Sequence, residues 1–130
     1  MVQHLPPSCR LLIAMHLVSF GPDLATPITT YQSSGAAAQA LADGAGEAHV
    51  YAVHFAAGGA IGAHPAGFGQ LFLIVSGTGW VAGADGVRHE VPAGSGALIA
   101  RGEVHAKGSA AGCSALMIQV ATLEVARLAP

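Results

Sequence analysis

Gly58-Gly59-Ala60-Ile61-Gly62-Ala63-His64-Pro65-Ala66-Gly67-Phe68-Gly69-Gln70-Leu71-Phe72-Leu73-Ile74-Val75-Ser76-Gly77 decides how this chain is read. Its skeleton is Gly58-x5-His64-x5-Gln70-x6-Gly77. A second segment, Gly94-x5-Ala100-x-Gly102-x2-His105, repeats the theme of glycine punctuation around one histidine. Gln70–Val75 is rich in β-formers and stops at Ser76-Gly77, which reads as a strand. If Gln70 points to one face, alternation sends Phe72 and Ile74 with it, while Leu71, Leu73 and Val75 face the other way. Both faces are apolar, as expected where one lines a cavity and the other packs on further structure.

Working outward, short strands recur about every ten residues. His16–Phe20 reads as a strand closed by Gly21-Pro22. Residues 24–34, with Pro27 beside Ile28, Thr29 and Thr30, suit an edge strand or arm. Ala36–Ala42 is helical by composition, yet it is short and lies among strands, and we read it as a strand. His49–Ala57 leads to a flexible Gly58–Gly62 approach to His64. Gly79–Ala82 and Val87–Val91 flank Asp85-Gly86, a hairpin signal. Ala97–Ala100 and Leu116–Thr122 complete the set, and Leu123–Leu128 continues or turns helical. Such spacing means an all-β sandwich or barrel. The length of 130 residues fits a single domain. We read residues 1–14, with Pro6-Pro7, as a loose extension and residues 15–130 as the barrel domain. Met15 is an alternative to Met1 as the start.

The two segments resemble the motifs of the cupin family, G-x5-H-x-H-x3-E-x6-G and G-x5-P-x-G-x2-H-x3-N. Gly58, His64, Gly77, Gly94, Gly102 and His105 match, and the likeness extends over about residues 48–122. Four positions depart: Ala66 replaces the second histidine, Gln70 the glutamate, Ala100 the proline and Ser109 the asparagine. His64-Pro65-Ala66, Gln70-Leu71-Phe72 and Gly79-Trp80-Val81 are similar to a subgroup of small single-domain bacterial cupins of unassigned role. The resemblance implies a cupin-type double-stranded β-helix, or jelly-roll barrel. It implies that His64 and His105 meet inside it and, with Gln70, hold a divalent metal such as Fe, Zn, Ni or Mn.

That ligand set is neutral. An amide oxygen is a poorer donor than carboxylate, and a partly buried ion without charge compensation is held weakly. His54 is a candidate for the position left by Ala66, although a structural histidine is its commoner role. Glu103 is a candidate source of the missing charge, although we favour a solvated turn residue. Phe72, Ile74, Trp80 and Phe68 are candidate pocket walls, Phe68 also as a lid. His89 with Glu90 reads as surface, and His4, His16 and His49 lack supporting context. Gly77-Thr78-Gly79 is a turn without a following helix, so it is no dinucleotide fingerprint. Ser95 lacks the full nucleophile-elbow pattern.

Composition narrows the partners. Net charge is −2 and no basic run occurs, which argues against nucleic acid. The apolar segment Leu11–Phe20 is too short to span a bilayer and lacks a secretory cleavage pattern. Cys9 and Cys113 make no disulfide framework, which fits a reduced, cytoplasmic setting. Only 9% of residues are charged, against about 25% in ordinary domains, so a homodimer interface is expected to cover apolar surface. Two functions compete: a metal-dependent enzyme acting on a small organic molecule, and a small-molecule binder or structural dimer without catalysis. The scarcity of acid–base groups near the motifs favours binding.

Overall fold

The computed structural model describes residues 10–11 and 14–125. Cys9 and most of the expected 1–14 extension therefore lie outside the described residues. The chain order is β1 (Arg10–Leu11), β2 (His16–Ser19), a 3-10 turn (Pro22–Leu24), β3 (Thr26–Pro27), β4 (Ala37–Ala38), β5 (Ala42–Phe55), β6 (Ala60–Pro65), β7 (Gly69–Ala82), β8 (Arg88–Pro92), β9 (Ser95–Ile99), β10 (Val104–Gly108) and β11 (Cys113–Val125). β3 and β4 pair with each other as a small separate hairpin arm.

The remaining strands form one antiparallel network. Its first half runs β5–β11–β7–β9–β2, with β1 added at the end of β11. Its second half runs β8–β7–β10–β6. β7 belongs to both: Gly69–Gly77 pairs with β11, and Thr78–Ala82 pairs with β8 and β10. This is the jelly-roll barrel of the expected all-β fold, in a single small domain.

The glycine punctuation has a backbone cause. Gly58, Gly77, Gly94 and Gly102 all take positive φ, which L side chains rarely adopt. Gly77 is the tightest, because a Cβ there would meet the Gly112 carbonyl oxygen at 2.5 Å. It sits where β7 passes from one half of the barrel to the other.

Two apolar clusters follow the alternation of β7. Phe72 and Ile74 join Phe55, Val81, Val91, Ala97, Ile99, Cys113 and Ala115 inside the barrel, with Phe55 edge-on to Phe72 at 6.3 Å. Leu71 and Leu73 join Leu98, Ala100 and Leu123 on the outer face, under Val18, Phe20 and Leu41.

Several elements differ from the sequence reading. The glycine-rich approach to His64 is strand β6, because its backbone pairs with β10. Val104–Gly108, to which the sequence reading assigned no element, is also a strand. Gln70–Val75 and Gly79–Ala82 are halves of one bent strand. Ala36–Ala42 is not one strand: Ala37–Ala38 belongs to β4, and Ala42 opens β5. In the 24–34 arm only Thr26–Pro27 is a strand, and Tyr31 and Gln32 turn with φ of 58° and 56°. Of the two alternatives for Leu123 onward, continuation of the strand holds as far as Val125, the last described residue. Among the described residues no helix is long and apolar enough to cross a membrane.

Candidate functional site

β6 and β10 lie side by side in a register that puts His64 directly opposite His105. Their ring centroids are 4.6 Å apart and their planes are tilted by 52°. His64 is exposed at the barrel wall, whereas His105 beneath it is wholly buried. His64 Nδ1 lies 2.7 Å from the Gly62 carbonyl oxygen. A carbonyl only accepts, so Nδ1 carries the proton and Nε2 of the neutral ring presents a lone pair. Neither ring nitrogen of His105 has a hydrogen-bond partner among the described residues. Buried polar atoms are usually satisfied, so an orphaned imidazole needs a reason.

The next inward residue of β10 is Lys107, also wholly buried. Its Nζ donates to Gln70 Oε1 at 2.6 Å and sits 5.1 Å from the Phe72 ring. Burial lowers its pKa to about 8, so it still carries its proton at neutral pH. Burial also lowers His105 to about 4, and the electrostatic influence of Lys107 and then of His64 lowers it further. His105 is therefore a neutral imidazole beside a cation.

This arrangement does not fit the three-ligand metal set of the resemblance. Two imidazoles suit a late first-row divalent ion. The third ligand, Gln70 Oε1, is instead taken by Lys107. The ammonium adds positive charge where a carboxylate would offset a metal. Among the described residues no group of three or more His, Cys, Asp and Glu side chains is arranged to hold an ion.

The other candidates lie as follows. His54 is exposed on β5 and hydrogen-bonds through Nδ1 to Ser114 Oγ at 2.8 Å. It lies one residue from Phe55, so alternation puts it on the outer face. Glu103 has both oxygens occupied, accepting from the backbone N–H of Ala100 at 3.1 Å and of Met15 at 2.9 Å. It fastens the turn before β10 and does not reach the histidines as a charge partner. Ala66 is a buried core methyl, and Ser109 is a turn brace that donates to the Thr78 carbonyl and accepts from Gly112 N–H. Phe72 and Ile74 line the interior. Trp80 does not join them: it alternates with buried Val81 and lies outside, 3.8 Å below the Arg88 guanidinium. Phe68 stacks on His49 at 5.9 Å, with Arg101 on it at 5.8 Å.

Four further residues complete the mouth; the sequence reading set His49 aside as lacking context and passed over the other three. On β11, Met117 lies opposite both Tyr51 and Phe72, and Gln119 lies opposite both His49 and Gln70. Cross-strand neighbours share a face, so His49, Tyr51, Met117 and Gln119 point the same way as Gln70 and Phe72. None of the four is fully buried, so they lie at the solvent-facing end of the barrel. Lys107 was missed as well. Alternation from His105 was the available signal for it, but that required β10 to be read as a strand.

The fold, with buried polar groups among apolar ones inside it, defines a small double-stranded β-helix. The AraC-like ligand binding domain model matches residues 49–129, more than half of the chain, and the chain belongs to that family. Solved structures share the fold. A double-stranded β-helix protein from Klebsiella pneumoniae superposes with a TM-score of 0.53 at 19% identity, covering 80% of this chain and 91% of that one. A cupin superfamily protein from Desulfitobacterium hafniense gives 0.50 at 15% identity, covering 81% and 97%. A conserved protein of unknown function from Streptococcus pyogenes gives 0.53 at 20% identity, covering 58% of this chain and 66% of that protein, just under two thirds of its length. At these identities the likeness is one of fold. No curated protein matches the chain.

Proposed function

We propose that this cupin-type domain binds a small organic molecule in the barrel end bounded by His49, Tyr51, Phe68, Met117 and Gln119, without catalysing its conversion. The observation that carries the reading is His105, wholly buried with two unsatisfied ring nitrogens. A bound molecule supplies the missing partner. Apolar walls with a few convergent polar groups are the usual make-up of such sites. The test is ligand-detected NMR and thermal shift with a metabolite panel, on wild type and His105→Phe. Ligands that raise the wild-type Tm and lose that effect in His105→Phe support the reading. Binding that is indifferent to the substitution sinks it.

A second reading puts a divalent ion between the same two imidazoles and would open an enzymatic role. It is favoured by the 4.6 Å approach of the rings and opposed by the nearby Lys107 ammonium. Elemental analysis of wild type beside His64→Ala/His105→Ala decides it. Near-stoichiometric Fe, Zn, Ni or Mn that is lost in the double variant would establish the ion. Protein that stays metal-free after incubation with each would remove it.

The same reading includes a homodimer in the cytoplasm. Val50, Leu116 and Val75 are exposed on the outer face of β5, β11 and β7, and Cys113 is a free, buried thiol.

A further inference from the structure

The interior of the barrel also bears on the class of ligand, which rests on the binding role proposed above. Lys107 is an ammonium held wholly inside the protein, and its hydrogen-bond partner among the described residues is the neutral Gln70 amide. The other groups around it are the Phe72 ring and the unsatisfied His105 imidazole. A buried charge is ordinarily matched by an opposite charge, and no carboxylate of the described residues faces this one. Glu103, the nearest acid in sequence, is bound to two backbone amides. His64 meanwhile presents Nε2 as an acceptor, because its Nδ1 proton is committed to Gly62.

We infer that the barrel takes a small hydroxycarboxylate anion: the carboxylate is held by the Lys107 ammonium and a His105 ring N–H, and a neighbouring hydroxyl donates to His64 Nε2. Each of the three groups then has a partner of the right sense. The ammonium gains a charge-assisted bond of the stronger kind, His105 donates, and His64 accepts. The hydrocarbon part of the ligand would face Phe72, Met117 and Tyr51. Lys107 thus supplies the positive charge that a metal would bring in other barrels of this shape, and it does so with donors rather than an open coordination shell.

The test uses three probes of one shape: lactate, propionate and lactamide. They are titrated into chelator-treated full-length protein at constant chloride and ionic strength, following the ring ¹⁵N signals of His105 and His64 together with Tm. Lactate is expected to move both rings saturably and raise Tm. Propionate should bind more weakly and move mainly His105, and lactamide should do neither. In Lys107→Met, a substitution of similar length, lactate affinity is expected to fall about tenfold or more. The wild-type ring shifts stand as a test even if that variant misfolds. Equal binding of lactamide and lactate overturns recognition of the anion while leaving the barrel a ligand site. Lactate binding that survives Lys107→Met overturns the role of Lys107. No ring response to any probe, while a neutral molecule from the metabolite panel does move His105, overturns the anion class alone. No ring response to anything overturns both readings.

Discussion

Lys107 Nζ is hydrogen-bonded to Gln70 Oε1 at 2.6 Å inside the barrel, so the position from which a carboxylate would serve a metal holds a neutral amide already engaged by a cation. The two partners are not equivalent in what their loss does. Gln70→Leu strips a buried ammonium of its acceptor, and a buried charge without a partner costs several kcal/mol. We expect Gln70→Leu to lower stability by about 3 kcal/mol. Lys107→Met removes the charge itself and should be close to neutral or stabilising. Urea denaturation of both single variants and the double variant measures this. Two equal losses would mean that the bond acts as an ordinary neutral pair.

Stability should depend on pH through His105. Its folded pKa is near 4, against 6.5 for an ordinary histidine, with burial as the main cause. Between those values the unfolded chain holds the extra proton, so stability rises with pH across the window. The contribution is complete above about 6.5 and is lost as pH falls towards 4, amounting to on the order of 3 kcal/mol. Lys107, lowered from 10.5 to about 8 by burial, works in the same direction at higher pH: stability recovers as pH rises from 8 towards 10.5. Unfolding of wild type and His105→Phe from pH 4 to 7 checks the first slope, which should flatten in the variant.

Glu103 ties the turn before β10 to Met15, two links between backbone N–H groups and one carboxylate. Glu103→Ala should cost about 1–3 kcal/mol by leaving part-buried donors unpaired. Glu103→Gln should recover part of that. Ligand and metal binding should be unchanged in Glu103→Gln, which separates an anchor from a member of the site. Denaturation midpoints and titrations on both variants give the comparison.

Gly77 has φ of 76°, and a side chain there would press on the Gly112 carbonyl and Cys113. Gly77→Ala is expected to lower stability by about 2 kcal/mol or more, from backbone strain plus overlap. Gly86, also at positive φ but with open space around it, should cost less on the same change. Thermal unfolding of the two variants side by side tests whether the bend of β7 is what Gly77 protects.

If the outer face of β5 and β11 carries a second copy, Leu116→Lys should give monomer by sedimentation equilibrium while the circular dichroism spectrum stays that of the wild type. A monomeric wild type would remove the dimer, and a variant that remains dimeric would remove this face as its interface.

Much of the barrel was legible in the chain because strands, turns and positive-φ glycines are local matters. Along Gln70–Ile74 alternation sends Phe72 and Ile74 to one apolar face and Leu71 and Leu73 to the other, as it does in the structure, and the motif glycines mark turns whose φ they alone suit. β6 and β10 were not legible. Their glycines and Pro65 argue against extended structure locally, and it is their pairing with each other that makes them strands. The site shares that limit. His64 and His105 carry a motif, but Lys107, Met117, Gln119, Tyr51 and His49 belong to the interior only through alternation on strands whose register had to be known.

The sequence by itself determined an all-β chain with two histidine-bearing segments and an apolar central strand, since periodicity and glycine placement follow from backbone sterics. Only the tertiary structure decided that His64 lies against His105, that Gln70 is engaged by a buried ammonium, and that Trp80 stays outside. Those facts depend on which strands pair and in what register, and a register is fixed by contacts between residues far apart in the chain.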